Sequence, residues 1–251
     1  MGLAGQCYYG CCGTRMGHLA MEVASASLRR IGVFKEFHLP VDALGLNHSA
    51  VKGLMKLWSR IHWSPGDGMM PADQLLAVYK LAVEWPVDGA TVELGAWVGL
   101  TTSYLGADCR VRGRGRVYAV DTFEGTREGN SSYPSIGRYG GNTYGAFCDQ
   151  IRRAGVQDLV EPLVGFTDTI GLTYEREPIR FLLIDADHSY EGVKRDFERW
   201  SPHVASGGLI VFHDYLMPDV ARFVDESVRS NIHFADAPGE VVSNVFAVTK
   251  R

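Results

Sequence analysis

The sequence has no long apolar run and no excess of positive charge. None of its hydrophobic stretches approaches the ~20 residues that a membrane-spanning helix needs. Lys and Arg number 25 against 29 Asp and Glu, so the net charge is −4. A basic face that binds nucleic acid or an acidic membrane surface is therefore not expected. The sequence predicts a small-molecule partner, with no nucleic acid and no membrane.

The sequence also has few cysteines and no signal sequence. There are 5 cysteines, an odd number that does not suggest a disulfide framework, and the N-terminus lacks the hydrophobic region of a signal peptide. Because such a chain suits a reducing compartment, we expect it to be cytoplasmic. Cys7, Cys11 and Cys12 lie close together, but no second cluster completes a four-ligand metal site.

A length of 251 residues suits one α/β domain with a sizeable core. Residues 1–64 contain a Gly- and Cys-rich stretch followed by short apolar patches. They are predicted to form an N-terminal segment that is partly helical or disordered and acts as a lid or a homo-oligomer contact. Residues 65–251 are predicted to form the main domain.

The main domain opens with a strand, a glycine turn and a helix over residues 91–102, with the sequence TVELGAWVGLTT. Gly95 and Gly99 let the backbone approach a ligand closely, and the helix start offers free N–H groups. The spacing is G-x-x-x-G rather than the G-x-G-x-x-G of dinucleotide sites, and Glu93 would repel a pyrophosphate. The pattern favours a nucleoside-type ligand over NAD. Glycines that serve only packing remain the alternative.

After this turn, strands and helices alternate to the end of the chain. The pattern predicts a Rossmann-like, doubly wound, mostly parallel sheet of seven strands, ending in an antiparallel hairpin near residues 232–235 and 241–249. Residues 124–142 are rich in Gly, Ser, Asn and Tyr and are predicted to form a long loop. Asp121 ends the second strand, where a carboxylate can accept both hydroxyls of a ribose; a turn-capping role is the alternative.

Charged side chains gather after the later strands. Asp185, Asp187 and His188 follow the apolar run FLLI, and His213 and Asp214 follow LIVF. In an open parallel sheet the carboxyl ends of the strands meet in one crevice, so these side chains are expected to converge with the acids of the first two strands. A capping role is at least as common for any single one of them, but a purely structural sheet does not require the whole set.

Four motifs occur together in this order: VELGAWVGLTT at 92–102, YAVDTF at 118–123, IDADHSYEGV at 184–193 and GLIVFHDY at 208–215. In combination they resemble the class I S-adenosylmethionine-dependent methyltransferases, and within these the family 24 type. That type is akin to the cation-dependent O-methyltransferases of sugars and catechols. The resemblance covers about residues 65–251 and implies an S-adenosylmethionine-binding methyltransferase domain there.

The resemblance implies roles for individual residues. It implies cofactor contacts by Glu93, Gly95, Ala96, Gly99, Thr101 and Thr102 at the methionine end, Asp121 and Thr122 at the ribose, Gly165, Phe166 and Thr167 at the adenine, and Asp185 beside them. Asp185, His213 and Asp214 occupy the positions of metal ligands, and an acid matching Asp187 is the implied general base. His213 and Tyr215 stand where Asp or Asn is usual, and an imidazole favours Mn²⁺, Fe²⁺ or Zn²⁺ over Mg²⁺.

Together these residues predict an S-adenosylmethionine-dependent O-methyltransferase that methylates a hydroxyl of a small polar acceptor, with a sugar or glycosylated natural product as the expected class. An alcohol is a weak acid, so a base is needed. The candidates are Asp187, His188 and His213, with Mg²⁺ or Mn²⁺ as the cation that would assist them. Two alternatives stay open: an NAD-dependent oxidoreductase and a non-catalytic cofactor-binding protein.

Overall fold

The computed structural model describes residues 45–61, 69–125, 134–237 and 244–251. Most of the predicted N-terminal segment, including Cys7, Cys11 and Cys12, lies outside these residues. The compact unit that contains the sheet spans Leu44–Arg251. Helix α1 (His48–Trp58) is part of it, and the indole N–H of Trp58 donates a hydrogen bond of 2.8 Å to the hydroxyl of Tyr104.

Seven strands of the described residues form one mixed sheet. Their bounds are β1 Ala90–Leu94, β2 Val117–Asp121, β3 Val160–Val164, β4 Ile179–Ile184, β5 Val204–Phe212, β6 Phe234–Asp236 and β7 Phe246–Lys250. The order across the sheet is β3-β2-β1-β4-β5-β7-β6. Strands β1 to β5 are parallel, and β7 runs antiparallel to both β5 and β6. The predicted fold class is confirmed, with β3 and β6 at the two edges.

Helices cover the sheet in two groups. The remaining helices are α2 Ala72–Glu84, α3 Leu100–Arg112, α4 Tyr144–Ala154, α5 Thr167–Leu172, α6 Tyr190–Trp200 and α7 Pro218–Phe223, which continues as a π-helical turn over Val224–Val228. In the first group α3 contacts α1, α2 and α4; in the second, α6 contacts α5 and α7. The apolar runs of β4 and β5 are buried between the groups, as central strands of a parallel sheet should be.

Local sequence signals set the helix starts at the carboxyl edge of the sheet. Ser189 caps α6, because its hydroxyl oxygen accepts the N–H of Gly192 at 3.1 Å. Gly99 precedes α3 with φ 80°, a left-handed conformation that glycine adopts without steric cost. Both helices therefore begin beside the strand ends where the charged residues cluster.

Two sequence predictions need correction. The segment predicted as a loop over 124–142 is partly regular: Pro134–Tyr139 form a 3₁₀ helix, while residues 126–133 lie outside the described part of the chain. Tertiary contact supports this turn, since the ring of Tyr139 packs edge-on against Trp97 at 5.9 Å. The final hairpin is shifted toward the C-terminus, because Phe246 pairs with Phe212 of β5 and sets the register of β7.

Within the described ranges, no helix is both long and apolar enough to span a membrane.

A buried ion pair joins α3 to the amino end of β4. Arg180 donates hydrogen bonds to the carboxylate of Asp108 and, at 3.0 Å, to the carbonyl of Ala82 in α2. Arg180 and Asp108 are both 0% exposed. Burial raises the pKa of Asp108 to about 6, although Arg180 opposes the shift. The pair therefore ties α2, α3 and β4 together inside the protein.

Candidate active site

The carboxyl ends of the parallel strands meet at a cavity of about 410 Å³. The predicted residues on its wall are Gly95, Asp121, Thr122, Gly165, Phe166, Thr167, Asp185, Asp187, His188, His213 and Asp214. The predicted residues that do not reach the wall are Glu93, Ala96, Gly99, Thr101 and Thr102. The structure thus brings the strand-end groups into one cavity, whereas most of the first motif lies behind its wall.

The turn after β1 presents backbone to the cavity. Gly95 has φ 89°, and a Cβ atom there would lie 2.1 Å from the carbonyl oxygen of Asp185, so a side chain does not fit. Asp121 holds this turn from the end of β2. One of its carboxylate oxygens accepts the N–H of Trp97 at 2.8 Å, and the other accepts that of Phe123 at 2.7 Å. Burial raises the pKa of Asp121, although these N–H groups oppose the shift.

Glu93 lies under the turn rather than on the cavity wall. Its side chain is buried and accepts a hydrogen bond from the hydroxyl of Thr102 in α3. Burial raises the pKa of Glu93 to about 8, so the carboxyl is mostly neutral at pH 7. Ala96 and Thr101 are also buried. In this structure Glu93 links β1 to α3 behind the glycine turn.

Two aspartates and two histidines form a compact group at the ends of β4 and β5, here called the Asp–His cluster. Asp185 Oδ1 lies 2.8 Å from Nδ1 of His213 and 3.4 Å from Nε2 of His188. Asp214 Oδ2 lies 3.1 Å and 2.9 Å from the same two nitrogens. One ligand atom from each residue lies within 4.8 Å of the others. Two nitrogens and two carboxylate oxygens at this spacing fit a divalent cation.

Charges within the Asp–His cluster stabilise one another. Burial opposes the charged forms of His188 and His213, but contacts with the two aspartates outweigh it and raise the pKa of His188 to about 9 and that of His213 to about 10. Burial likewise opposes ionisation of Asp185 and Asp214, yet the histidines hold the pKa of both carboxyls below the usual range. Without a bound cation the cluster is therefore a set of ion pairs at neutral pH.

Asp187 lies on the cavity wall but outside the Asp–His cluster. Its Oδ1 accepts the N–H of Ser189 at 2.9 Å, and its Oδ2 lies 3.5 Å from Nη2 of Arg195. Gly192 makes room for it, since a Cβ atom there would lie 2.3 Å from Cγ of Asp187. The carboxylate is thereby fixed at the start of α6, with its side chain 28% exposed.

The sequence did not predict five polar residues on the wall: Gln74, Asp168, Arg195, Asp196 and Asn244. Gln74 of α2 places Oε1 2.7 Å from Nε2 of His213. The amide of Asn244 donates a hydrogen bond of 2.6 Å to Oδ1 of Asp214. Both lie far along the chain from their partners, and no local motif marks them. Only the packing of α2 and of the segment before β7 brings them to the cluster.

Asp196 lies on the cavity wall beside Thr167 and is not part of the Asp–His cluster. It is 2% exposed; one oxygen accepts the hydroxyl of Thr167, and the other has no hydrogen-bond partner among the described residues. Burial raises the pKa of Asp196 to about 7, and the charges of Asp168 and Asp187 add to the shift. The sequence could have identified Asp196, because it lies three residues after Val193 and four before Trp200, on the buried face of α6.

Among the described residues, three other than glycine have positive φ: Trp97 and Asp214 lie on the cavity wall, and Phe123 follows Thr122 of that wall. The angles are 49° for Trp97, 60° for Phe123 and 54° for Asp214. A residue with a Cβ atom is disfavoured there, so neighbouring contacts must hold it. Asp121 binds the N–H groups of the first two, and Asn244 binds the carboxylate of the third.

The chain is similar to a protein-family model and to a curated protein. Residues 92–215 match the family model Methyltransf_24, described as a methyltransferase domain. The uncharacterized protein R132 of Acanthamoeba polyphaga mimivirus is 29% identical over 121 residues, which cover 41% of this chain and 51% of that protein. The chain thus spans about half the length of this curated relative.

Solved structures share the fold at low sequence identity. The O-methyltransferase NovP superposes with a TM-score of 0.61 and 20% identity, over 73% of this chain and 82% of NovP. The O-methyltransferase TomG from Streptomyces achromogenes, involved in tomaymycin synthesis and solved in complex with SAM, has a TM-score of 0.55 and 17% identity over 86% and 93% of the two chains. The SAH-bound methyltransferase PaMTH1 of Podospora anserina has a TM-score of 0.55 and 14% identity over 97% and 100%.

Proposed function

We propose that this chain, whose residues 92–215 match a methyltransferase domain, is a class I S-adenosylmethionine-dependent enzyme that methylates a hydroxyl oxygen of a small polar acceptor. One observation carries the proposal. A single cavity has the glycine turn and Asp121 on one part of its wall and the Asp–His cluster on another. The first part suits a nucleoside and the second suits activation of a hydroxyl.

The wall suggests how the cofactor lies. Asp121 is placed to accept the ribose hydroxyls, with Thr122 beside it, and Gly165–Thr167 flank the adenine. The methionine end lies against the backbone of the turn that starts at Gly95, near Asp185. Ala96, Gly99, Thr101 and Thr102 act from behind the wall by holding the turn and the start of α3, and Glu93 does so through its bond to Thr102.

The donor set of the Asp–His cluster fits a divalent cation. Asp185, His213 and Asp214 would hold Mg²⁺ or Mn²⁺, and His188 is within reach of the same point. Such a cation, when bound, lowers the pKa of an acceptor hydroxyl. This fit rests on the chemistry and spacing of the four side chains.

In the reaction the acceptor oxygen forms a bond to the methyl carbon, the sulfur–methyl bond breaks, and the hydroxyl proton passes to a base. Both ring nitrogens of His213 are engaged, Nδ1 with the aspartates and Nε2 with Gln74. We therefore favour Asp187, which is on the wall with its side chain 28% exposed, as the proton acceptor. His188 and His213 then position Asp185 and Asp214. Holding the reacting atoms ~3–3.5 Å apart and in line supplies much of the rate.

The acceptor class is proposed by analogy. The resemblance to sugar O-methyltransferases, together with the polar groups on the wall, favours a sugar or a glycosylated natural product. A cytoplasmic location is proposed from the cysteine content; Cys109 and Cys148 are free thiols in the structure. A homo-oligomer through residues 1–64 remains a proposal, and most of that segment lies outside the described residues.

The test is a calorimetric titration with S-adenosylhomocysteine, in EDTA and then with Mg²⁺ or Mn²⁺, followed by a screen of hydroxylated acceptors for S-adenosylhomocysteine release. Micromolar binding and turnover with a sugar-containing acceptor are expected. Binding without turnover on any acceptor would favour the non-catalytic alternative. No binding, together with a nicotinamide absorbance change on alcohols, would favour the oxidoreductase.

A further inference from the structure

The ring of His213 is held from two sides by residues of different chemistry. Nδ1 faces the carboxylates of Asp185 at 2.8 Å and Asp214 at 3.1 Å, and Nε2 faces Oε1 of Gln74 at 2.7 Å. His213 is 5% exposed and Gln74 is 8% exposed, so water does not compete freely for either nitrogen. Gln74 lies in α2, outside the residues that match the methyltransferase family model.

We propose that Gln74 is a positioning residue that makes His213 a metal ligand through Nδ1 and gives the Asp–His cluster a preference for Mn²⁺ and Zn²⁺ over Mg²⁺. An amide oxygen can only accept a hydrogen bond, so it retains the proton on Nε2. A bound cation replaces the proton on Nδ1, and the lone pair of the then neutral ring is on that nitrogen, which faces Asp185 and Asp214. The inference rests on the cation site of the proposed function and identifies the residue that orients it.

The expected selectivity follows from the donor atoms. Mg²⁺ prefers an octahedral shell of oxygen atoms and retains several waters. The Asp–His cluster instead offers two imidazole nitrogens and two carboxylates, with one atom from each residue within 4.8 Å of the others. Imidazole suits later first-row ions such as Zn²⁺, and affinity rises from Mn²⁺ toward Cu²⁺. A ligating histidine commonly donates its other N–H to a fixed acceptor, which is the place of Gln74.

The experiment measures metal binding to the full chain without cofactor or acceptor. Wild type, Gln74→Leu, Gln74→Glu and Gln150→Leu are titrated with Mn²⁺, Zn²⁺ and Mg²⁺ by calorimetry. Gln150 is the matched control, because it is equally buried at 8% exposure but lies in α4 and contacts Arg153. We expect wild type to bind Mn²⁺ and Zn²⁺ more tightly than Mg²⁺. Gln74→Leu should weaken Mn²⁺ and Zn²⁺ binding about 10- to 100-fold, while Gln74→Glu and Gln150→Leu should retain it.

A spectroscopic measurement on wild type keeps the inference testable if Gln74→Leu does not fold. In protein labelled with ¹⁵N-histidine and loaded with diamagnetic Zn²⁺, the His213 ring should carry its proton on Nε2, with Nδ1 bound to the ion. A ring protonated on Nδ1, equal metal affinity of the Gln74→Leu and Gln150→Leu variants, or Mg²⁺ bound as tightly as Mn²⁺ would overturn the inference.

The cofactor proposal is assessed separately in the same samples. Binding of S-adenosylhomocysteine in EDTA reports on the Asp121 part of the cavity and does not require the cation. Its absence together with normal Mn²⁺ binding would contradict the proposed function and leave the Gln74 inference intact. Binding of S-adenosylhomocysteine without any binding of Mn²⁺ or Zn²⁺ by wild type would contradict the cation site, and with it the role of Gln74, and would leave the cofactor site intact.

Discussion

Strand β4 carries the buried ion pair at its amino end and the Asp–His cluster just beyond its carboxyl end. Arg180 and Asp108 are sealed between α2, α3 and the sheet, and neither lines the cavity. The side chains of Asp185 and His213 are nearly as buried, at 17% and 6% exposed, but both lie on the cavity wall. The difference shows that buried charge alone does not mark a functional site. Access to a cavity of ligand size separates a pair that stabilises the fold from one that can act on a substrate.

The largest effect on stability should come from breaking the buried ion pair of Arg180 and Asp108. Arg180→Met removes the main partner of the buried Asp108 carboxylate, and breaking a buried pair typically costs about 3–5 kcal/mol. Urea unfolding of the variant and of wild type, at a pH above the raised pKa of Asp108, measures this loss in the free energy of unfolding. The substitution leaves the residues on the cavity wall unchanged.

Two variants serve as controls for Arg180. The double variant Arg180→Met, Asp108→Leu should recover most of the stability, since replacing a buried pair by apolar residues is often close to neutral. Arg110→Met, which removes the exposed pair with Asp158, should cost under about 1 kcal/mol. Equal losses in the single and double Arg180 variants would mean that the bond to Ala82, not the charge of Asp108, is what Arg180 provides.

At the other end of β4 the main effect should be on rate. Asp185→Asn removes the charge that both histidines of the cluster contact, and methyl transfer should fall about 10²- to 10⁴-fold, the range for loss of proton-transfer assistance. Initial rates with the best acceptor from the screen measure this change, beside a melting curve. A loss of stability as large as that of Arg180→Met, without a specific rate defect, would remove the distinction between the two sites.

A smaller effect is expected on cofactor affinity. Asp121→Ala removes the carboxylate that accepts the N–H groups of Trp97 and Phe123 and is proposed to bind the ribose. Loss of hydrogen bonds to a charged group costs about 1.5–3 kcal/mol, so S-adenosylhomocysteine should bind about 10- to 100-fold more weakly. The affinity of Asp121→Asn, which keeps one acceptor oxygen, should lie between those of Asp121→Ala and wild type. Unchanged affinity in the alanine variant would exclude the ribose contact.

The smallest effect is pH-dependent and concerns Asp196. Its carboxyl faces Thr167, Asp168, Asp187 and Arg195 and has a pKa near 7 in the folded protein, above the ~3.9 of an unfolded aspartate. The folded state therefore binds this proton more tightly, and the associated stability is present below about pH 4 and lost as the pH rises through 7. Asp196→Asn removes that dependence.

Melting temperatures of wild type and Asp196→Asn at about pH 5 and about pH 8 measure the difference. The variant should gain stability relative to wild type at the higher pH, by a few degrees for a chain of this size. Asp149→Asn, at an exposed carboxylate that pairs with Arg152, should show no such change. A gain of equal size at both pH values would show that the titration of Asp196 is not its cause.

Much of the fold follows from local patterns in the sequence. The strands that end at Asp121, Ile184 and Phe212 have continuous apolar runs, because parallel strands are buried on both faces. The sequence therefore shows where each of these strands ends. The antiparallel last strand was predicted, whereas its exact register was not. That register depends on the pairing of Phe246 with Phe212, which is a long-range contact.

The candidate site was predictable only where its residues follow strands. The topology of a doubly wound sheet brings strand ends together whatever the loops do, so Asp185, His213 and Asp214 could be placed in one crevice. Gln74 precedes the first strand and Asn244 precedes the last, and helix and loop packing alone decides where they lie. The sequence also could not show that Glu93 lies behind the wall. Its side chain is directed toward Thr102 of α3, and this contact depends on how α3 packs on the sheet.

The two edges of the sheet bear on how copies of this chain can associate. The outer strand β3 has Pro162 at its centre, which lacks an N–H group for a further strand, and β6 has only three residues, Phe234–Asp236. Short or proline-containing edges resist pairing with the sheet of another molecule. A dimer of this protein would therefore be expected to form through helices or loops, and growth into a continuous intermolecular sheet is disfavoured at both ends.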